Sequence, residues 1–276
     1  MTSAVVKNDK SANLFAIRSV LFLPASNPRA IAKARDSESD LVVLDLEDAV
    51  KPDDKEQARR AAVEAVGSAW PMPVAIRING VGSQWHSRDV DAVARSDADF
   101  LVVPRAISAH LVRDLADNIA KPVMAMIETA AGVLAAAEIA KVAAALIAGT
   151  NDLRADLRLP LDVGREPIST SLQLIVLAAR SAQIPCFDGV FNGLDDAAGF
   201  EREAREGKTL GFDGKSLIHP KQIAPCHRAF APTASEIERA KALVDAFSGG
   251  AERFGNEMIE RMHVEAAQLV LERASR

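Results

Sequence analysis

A chain of 276 residues with 49% hydrophobic side chains can bury a full core, either in one large domain or in two small ones. Its formal net charge of −5 excludes the broad basic surface that a nucleic-acid binder needs. No stretch reaches the roughly 18 apolar residues of a membrane span, so neither nucleic acid nor membrane is an expected partner.

Residues 1–17 read as an N-terminal tail with no long apolar core and no cleavage pattern, which argues against a signal peptide. From there, short apolar runs recur. RSVLFLP (18–24), DLVVLDLED (40–48), PVAIRIN (73–79) and DFLVVPR (99–105) form the first four expected strands. KPVMAMIET (121–129), AALIAGTND (144–152), CFDGVF (186–191) and GFDGKSLI (211–218) form the second four. Near-continuous apolar runs suit parallel strands covered on both faces. Between them lie segments with helical spacing, such as KEQARRAAVEAVGSA and SAHLVRDLADNIA. Strand–helix alternation repeated eight times predicts an α/β fold, a (β/α)8 TIM barrel over 18–230. A doubly wound open sheet is the alternative, but no GxGxxG turn follows the first strand.

Residues 231–276 are expected to form a C-terminal helical extension, packed as a lid on a neighbouring subunit. PTASEIERAKALVDAFSGG carries a Thr/Ser start and a Gly-Gly stop, and EMIERMHVEAAQLVLERAS reads as a second amphipathic helix. The two cysteines, Cys186 and Cys226, spell out no disulfide framework and point to a reducing, cytoplasmic setting.

Charges gather where the strands end. Glu47 and Asp48 close the second, Arg77 and Asn79 the third, Arg105 the fourth, Glu128 the fifth and Asp152 the sixth, with His219 and Lys221 after the eighth. In a barrel that end is the catalytic rim. Four carboxylates there repel one another unless a cation sits among them, and hard oxygen ligands suit Mg2+. No Cys/His cluster suggests zinc. A lone strand-end glutamate is as readily a carboxylate placed at a helix N-terminus. Arg105 is as readily an ion-pair partner of Glu47 or Asp48 as a substrate contact, and His219 in IHP is as readily a local cap.

The set RSVLFLPAS, LDLEDAV, RIN, MIETAAG, GTNDL and GFDGKSLIHPKQ, in that order, resembles the citrate lyase β-subunit family within the HpcH/HpaI aldolase group. The resemblance implies a Mg2+-dependent lyase that makes or breaks a carbon–carbon bond in 3-hydroxyacyl-CoA thioesters such as citryl-, citramalyl- or malyl-CoA. It implies Glu128 and Asp152 as metal ligands and Arg77 as the grip on the oxo-acid. The segment holding Ser26, Asn27 and Arg29 falls where the family's first loop approaches coenzyme A, and Ile218 and His219 fall where the last loop meets ligand. Arg105 stands where relatives commonly carry Lys, which keeps charge but not geometry. Relatives often end in a motif whose Asp reaches into a neighbour's site as acid/base; Glu260, in GNEMIER, stands at that place.

The chemistry so implied is a retro-Claisen cleavage. Arg77 and the cation hold the oxo-acid end. The amides of Thr150, Asn151 and Asp152, at a helix start, cradle its carboxylate, and Glu47 and Asp48 orient water or Arg77. Glu260 of a neighbouring chain supplies the proton for the acyl-CoA enolate. The resemblance also implies a homotrimer or hexamer. The competing expectations are an aldolase acting on free 2-oxo acids, a subunit active only within a citrate lyase complex, and a non-catalytic binding protein.

Overall fold

The computed structural model describes residues 13–161 and 163–275, so most of the expected tail lies outside the described residues. Eight parallel strands close on themselves in chain order. They are β1 (Ser19–Pro24), β2 (Leu41–Asp45), β3 (Val74–Arg77), β4 (Phe100–Val103), β5 (Val123–Ile127), β6 (Ala145–Ala148), β7 (Cys186–Asp188) and β8 (Gly214–Leu217). The expected (β/α)8 barrel is therefore the fold, and an open sheet is excluded by the direct pairing of β1 with β8. Around it run α1 (Pro28–Arg35), α2 (Lys55–Val66), α3 (His86–Ala94), α4 (Ala109–Ile119) and α5 (Ala130–Ala140). After β6 come α6 (Thr150–Asp156) and α7 (Ser169–Ser181), then α8 (Ala197–Leu210) after β7 and α9 (Ile223–Phe230) after β8.

Strands β2 to β6 are almost wholly apolar on both parities, because helices cover one side and barrel contents the other. Inside, Val20, Leu41, Val43, Ala75, Phe100, Val102, Met124, Met126, Ala145, Ile147 and Phe187 form one buried cluster. Helices begin where short polar side chains replace missing backbone partners. Asn27 accepts the Ala30 N–H at 3.1 Å, Ser108 that of Leu111 at 3.3 Å and Thr129 that of Gly132 at 3.0 Å.

The sixth expected strand, 144–152, is shorter than its sequence pattern. It stops at Ala148, and Thr150 already opens α6. Gly149 makes that turn possible, because a Cβ there would stand 2.2 Å from Glu128 Oε2.

The chain divides into two compact units between Ala229 and Phe230. The second contains α10 (Ala234–Ala246), a hairpin of β9 (Glu252–Phe254) and β10 (Glu257–Ile259), and α11 (Arg261–Ala274). Its small core joins Ala240, Leu243, Ile259, Val264 and Ala267. The expectation of one helix from Glu257 onward needs correction: Glu257–Ile259 pairs antiparallel with Glu252–Phe254 around a Gly255-Asn256 turn. Gly255, with φ near +60°, supplies the left-handed residue that such a turn demands.

Candidate active site

Alternate side chains of a barrel strand face its interior. Following the inward positions Leu41 and Val43 one step further leads to Asp45; Ala75 leads to Arg77; Met124 and Met126 lead to Glu128. The apolar core thus ends at the C-terminal mouth in a layer of charge. That layer floors a cavity of about 360 Å³ whose wall includes Asp45, Asp48, Arg77, Glu128 and Asp152.

Arg77 is the centre of the layer. It donates from Nε to Asp45 Oδ1 at 2.7 Å and from Nη2 to Asp45 Oδ2 at 2.6 Å, a bidentate pair that fixes the guanidinium plane. Its Nη1 lies 3.0 Å from Glu47 Oε2, but that oxygen makes no hydrogen bond, so the contact is an ion pair without alignment. Among the described residues the other partner on Nη1 is the soft Met126 sulfur at 3.7 Å. One edge of the guanidinium is therefore committed to Asp45, and the other can meet an anionic ligand. Burial opposes the charge on Arg77, but Asp45 beside it more than compensates and holds it protonated. Burial pushes Glu47 up to about 8 against the pull of Arg77, with Asp48 and Glu128 pushing the same way.

Glu128 is 2% exposed and stands one residue past β5. Its Oε1 accepts the Arg105 backbone N–H at 2.7 Å. Arg105 achieves this with φ near +48°, a left-handed conformation uncommon for a non-glycine residue. Its side chain reaches Asp152 at 3.4 Å, so the expected pairing with Glu47 or Asp48 is replaced by one with Asp152. Asp152 lies not at a strand end but in the first turn of α6, and the same helix is tied back where Asp156 accepts the Ala130 N–H at 2.7 Å.

Burial, and then the charge of Asp152, push Glu128 up to about 7, although the Arg105 N–H pulls the other way. Asp152 is raised by burial and by Asp48, with Arg105 opposing. Two carboxylates held uncomfortably as anions at one mouth are what a divalent cation would relieve. Among the described residues no three His, Cys, Asp or Glu side chains converge as a complete cage. A pair of carboxylates fits Mg2+, which retains waters or takes substrate oxygens in its remaining positions.

Thr150, Asn151 and Ile218 share the cavity wall with this pair. Asn151 exchanges hydrogen bonds with Asn192 across the β6 and β7 loops at 2.8 and 3.3 Å. His219 does not line the cavity; its Nδ1 accepts the Lys221 N–H at 3.1 Å as a local cap. Ser26, Asn27 and Arg29 follow Pro24, the last residue of β1 and part of the wall, but none of the three lines the cavity itself. Glu260 belongs to the second unit, exposed at the start of α11, where its N–H donates to His263 Nδ1 at 3.0 Å.

Sequence reasoning passed over Asp45, although its parity with Leu41 and Val43 marks it as inward-facing. It also passed over Lys215, fully buried on β8, whose Nζ binds Asp188 at 3.0 Å, the Gly189 carbonyl at 2.6 Å and Glu203 at 2.7 Å. At the opposite end of the barrel, Ser19 Oγ and Asp40 Oδ2 both approach His227 Nε2, at 2.8 and 3.3 Å. A nucleophilic triad needs separate ring nitrogens for serine and carboxylate, so this grouping is a strut. Cys186 and Cys226 are buried with thiols pushed up to about 12 by burial, which makes them inert.

The fold and the site together define a (β/α)8 barrel protein with an acidic mouth anchored by one arginine. The chain belongs to the HpcH/HpaI aldolase/citrate lyase family, whose model matches residues 18–220. It is 38% identical over 270 residues to a (3S)-malyl-CoA thioesterase of Cereibacter sphaeroides, covering 93% of this chain and 94% of that protein. It is 33% identical over 284 residues to the citrate lyase subunit beta of Escherichia coli, covering 93% of each. Among solved structures, CitE of Mycobacterium tuberculosis in complex with magnesium, acetoacetate and coenzyme A superposes with a TM-score of 0.85. That match has 31% identity and covers 95% of this chain and all of that one. The family is one of enzymes, and among the described residues no helix is long and apolar enough to cross a membrane.

Proposed function

We propose that the chain is a Mg2+-dependent carbon–carbon lyase acting on a 3-hydroxyacyl-CoA of the citryl-, citramalyl- or malyl-CoA kind. It would cleave the ester to a 2-oxo acid and acetyl-CoA or a related acyl-CoA, or run the reverse condensation. The observation that carries this reading is the meeting of Glu128, Asp152 and the open edge of Arg77 in one cavity. Mg2+ held by Glu128 and Asp152 would polarise the oxygens of the oxo-acid end.

Arg77 Nη1 binds the same end and offsets negative charge as the bond breaks, while Asp45 keeps its plane fixed. Thr150, Asn151 and Asp152, at the start of α6, present backbone N–H groups to the substrate carboxylate. Asp48 faces the cavity and orients water, and Glu47 steadies Arg77 from behind. The first loop, with Ser26, Asn27 and Arg29, and the last, with Ile218 and His219, flank the entry of the coenzyme A arm. Glu260 is the proton donor to the acyl-CoA enolate, supplied by a neighbouring chain on which the second unit acts as a lid. Exposed Met258, Met262 and Leu269 give that unit an apolar surface suited to a subunit contact in a cytoplasmic trimer or hexamer.

A second reading is thioester hydrolysis, favoured by the 38% identity to a malyl-CoA thioesterase. Asp48 in the cavity wall could then direct a water to the thioester carbonyl. Mass spectrometry of products from a panel of acyl-CoA esters with Mg2+ separates the readings. From malyl-CoA, glyoxylate with acetyl-CoA marks cleavage, and malate with free coenzyme A marks hydrolysis. Turnover of neither kind, with purified chain and Mg2+, overturns both.

A further inference from the structure

The end of β2 and the loop after it carry three carboxylates in four residues, Asp45, Glu47 and Asp48. Three of the loop's backbone donors are satisfied by the strand ends beside it. Asp45 accepts the N–H groups of Glu47 at 2.8 Å and Ala49 at 3.0 Å, and the Arg77 carbonyl accepts that of Leu46 at 2.9 Å. Two of its carbonyls meet one buried side chain, and the Glu47 carbonyl also accepts the Val50 N–H at 3.0 Å. Lys55, the first residue of α2, is 5% exposed, and its Nζ donates to the Leu46 carbonyl at 2.8 Å and the Glu47 carbonyl at 2.7 Å.

The third proton of the ammonium goes to Asn79 Oδ1 at 2.6 Å. Asn79 lies two residues beyond Arg77, on the neighbouring loop. It is locked in turn: Asp89 accepts both its backbone N–H at 3.0 Å and its Nδ2 at 2.6 Å, and Arg59 holds Asp89 at 2.6 Å. The Trp85 ring covers the ammonium at 5.1 Å. An ammonium has three donors, and here all three are spent on the loops that follow Asp45 and Arg77.

We propose that Lys55 is a positioning residue for the reaction: its ammonium clamps the β2 and β3 loops together, and so sets where Asp48 and the Arg77–Glu47 contact stand relative to substrate. Lys55 does not line the cavity. The proposal rests on the lyase or thioesterase reading for its kinetic consequence, but not for the clamp itself.

Lys55→Met keeps an unbranched apolar stem, one atom shorter, while removing every donor and the charge over Trp85. Hydrogen exchange by mass spectrometry is expected to show segment 46–50 exchanging about tenfold faster or more, with the eight barrel strands within about twofold of wild type. With an acyl-CoA that wild type turns over, kcat is expected to fall about 10²-fold, as it does when catalytic groups shift by an ångström, with KM within about threefold. Uniform loosening of the whole barrel, an unchanged segment 46–50, or unchanged kcat beside a loosened loop would each overturn the proposal. If wild type turns over no acyl-CoA, the functional reading fails, while the exchange data still decide the clamp.

Discussion

Arg77 donates two near-parallel hydrogen bonds to Asp45 across adjacent strands whose registers set the two residues side by side. Asp45 is 1% exposed and fixes the guanidinium in the cavity wall. Removing one partner of such a buried pair leaves an uncompensated charge, so Asp45→Ala is expected to destabilise the fold by about 3–5 kcal/mol. Urea unfolding followed by circular dichroism measures this; a loss no larger than that of a surface substitution would contradict the role given to Asp45.

The acid pair predicts a pH dependence. Glu128 ionises near 7 in the folded chain, against 4.5 for an ordinary glutamate, because burial and then Asp152 oppose its charge. The folded state therefore holds a proton that the unfolded state has released between those two values. This group's contribution to metal-free stability falls as pH rises through that window and is level above it. Mg2+ held by the pair as proposed would compete with the same proton, so metal affinity should rise with pH up to about 7 and binding should release protons at pH 6. Calorimetric Mg2+ titrations in two buffers of different ionisation enthalpy test this: identical apparent enthalpies at pH 6 would deny the proton release.

Gly149 permits the approach of β6 to Glu128, and an added Cβ would stand 2.2 Å from Glu128 Oε2 and 2.4 Å from Glu128 Cβ. Gly149→Ala should therefore displace the carboxylate and cost about 10²-fold in turnover, in line with the effect of small misplacements. Far-ultraviolet circular dichroism should remain that of the wild type. Full activity in this variant would show that the position of Glu128 is not critical.

Removing the two proposed metal ligands is the direct assay of the site. Glu128→Ala and Asp152→Ala are each expected to lose about 10²–10³-fold in kcat, the scale seen when a charge-stabilising group is deleted. Near-normal turnover by either variant rejects the assignment of Mg2+ to this pair.

Lys215 has no exposed surface and compensates Asp188, which burial destabilises as an anion but which Lys215 and then Arg165 hold ionised. Lys215→Met should cost about 3–5 kcal/mol of stability, readable as a lowered denaturation midpoint. A midpoint within error of wild type would mean that Arg165 alone suffices.

The barrel was legible because its strands are apolar on both parities and its helices are not, a contrast that survives without any tertiary information. Glu128, Asp152 and Arg77 were legible because charges interrupt those runs. Asp45 was harder to see, since Glu47 and Asp48 follow it at once and only parity tells which acid points inward. Lys55 and Lys215 gave no local signal: each sits in a pattern that reads as a solvated helix or strand charge, and only the fold brings acceptors to them. Arg105 reached Asp152 rather than Glu47 or Asp48 because its left-handed backbone re-aims the side chain, which composition cannot foretell. The hairpin of the second unit was hidden by a run whose apolar spacing also satisfies a helix, although Gly255-Asn256 marked the turn.

Glu128 extends a sheet, whereas Asp152 rides on a separate helix joined to that sheet through Gly149. The bite between the two acids is thus a mechanical quantity, set by how α6 is seated and not by either side chain alone. Substitutions at Leu153 or Asp156, neither of which lines the cavity, would widen or narrow that bite, and so would give evolution a way to retune the ion preference of the proposed pair without altering either carboxylate.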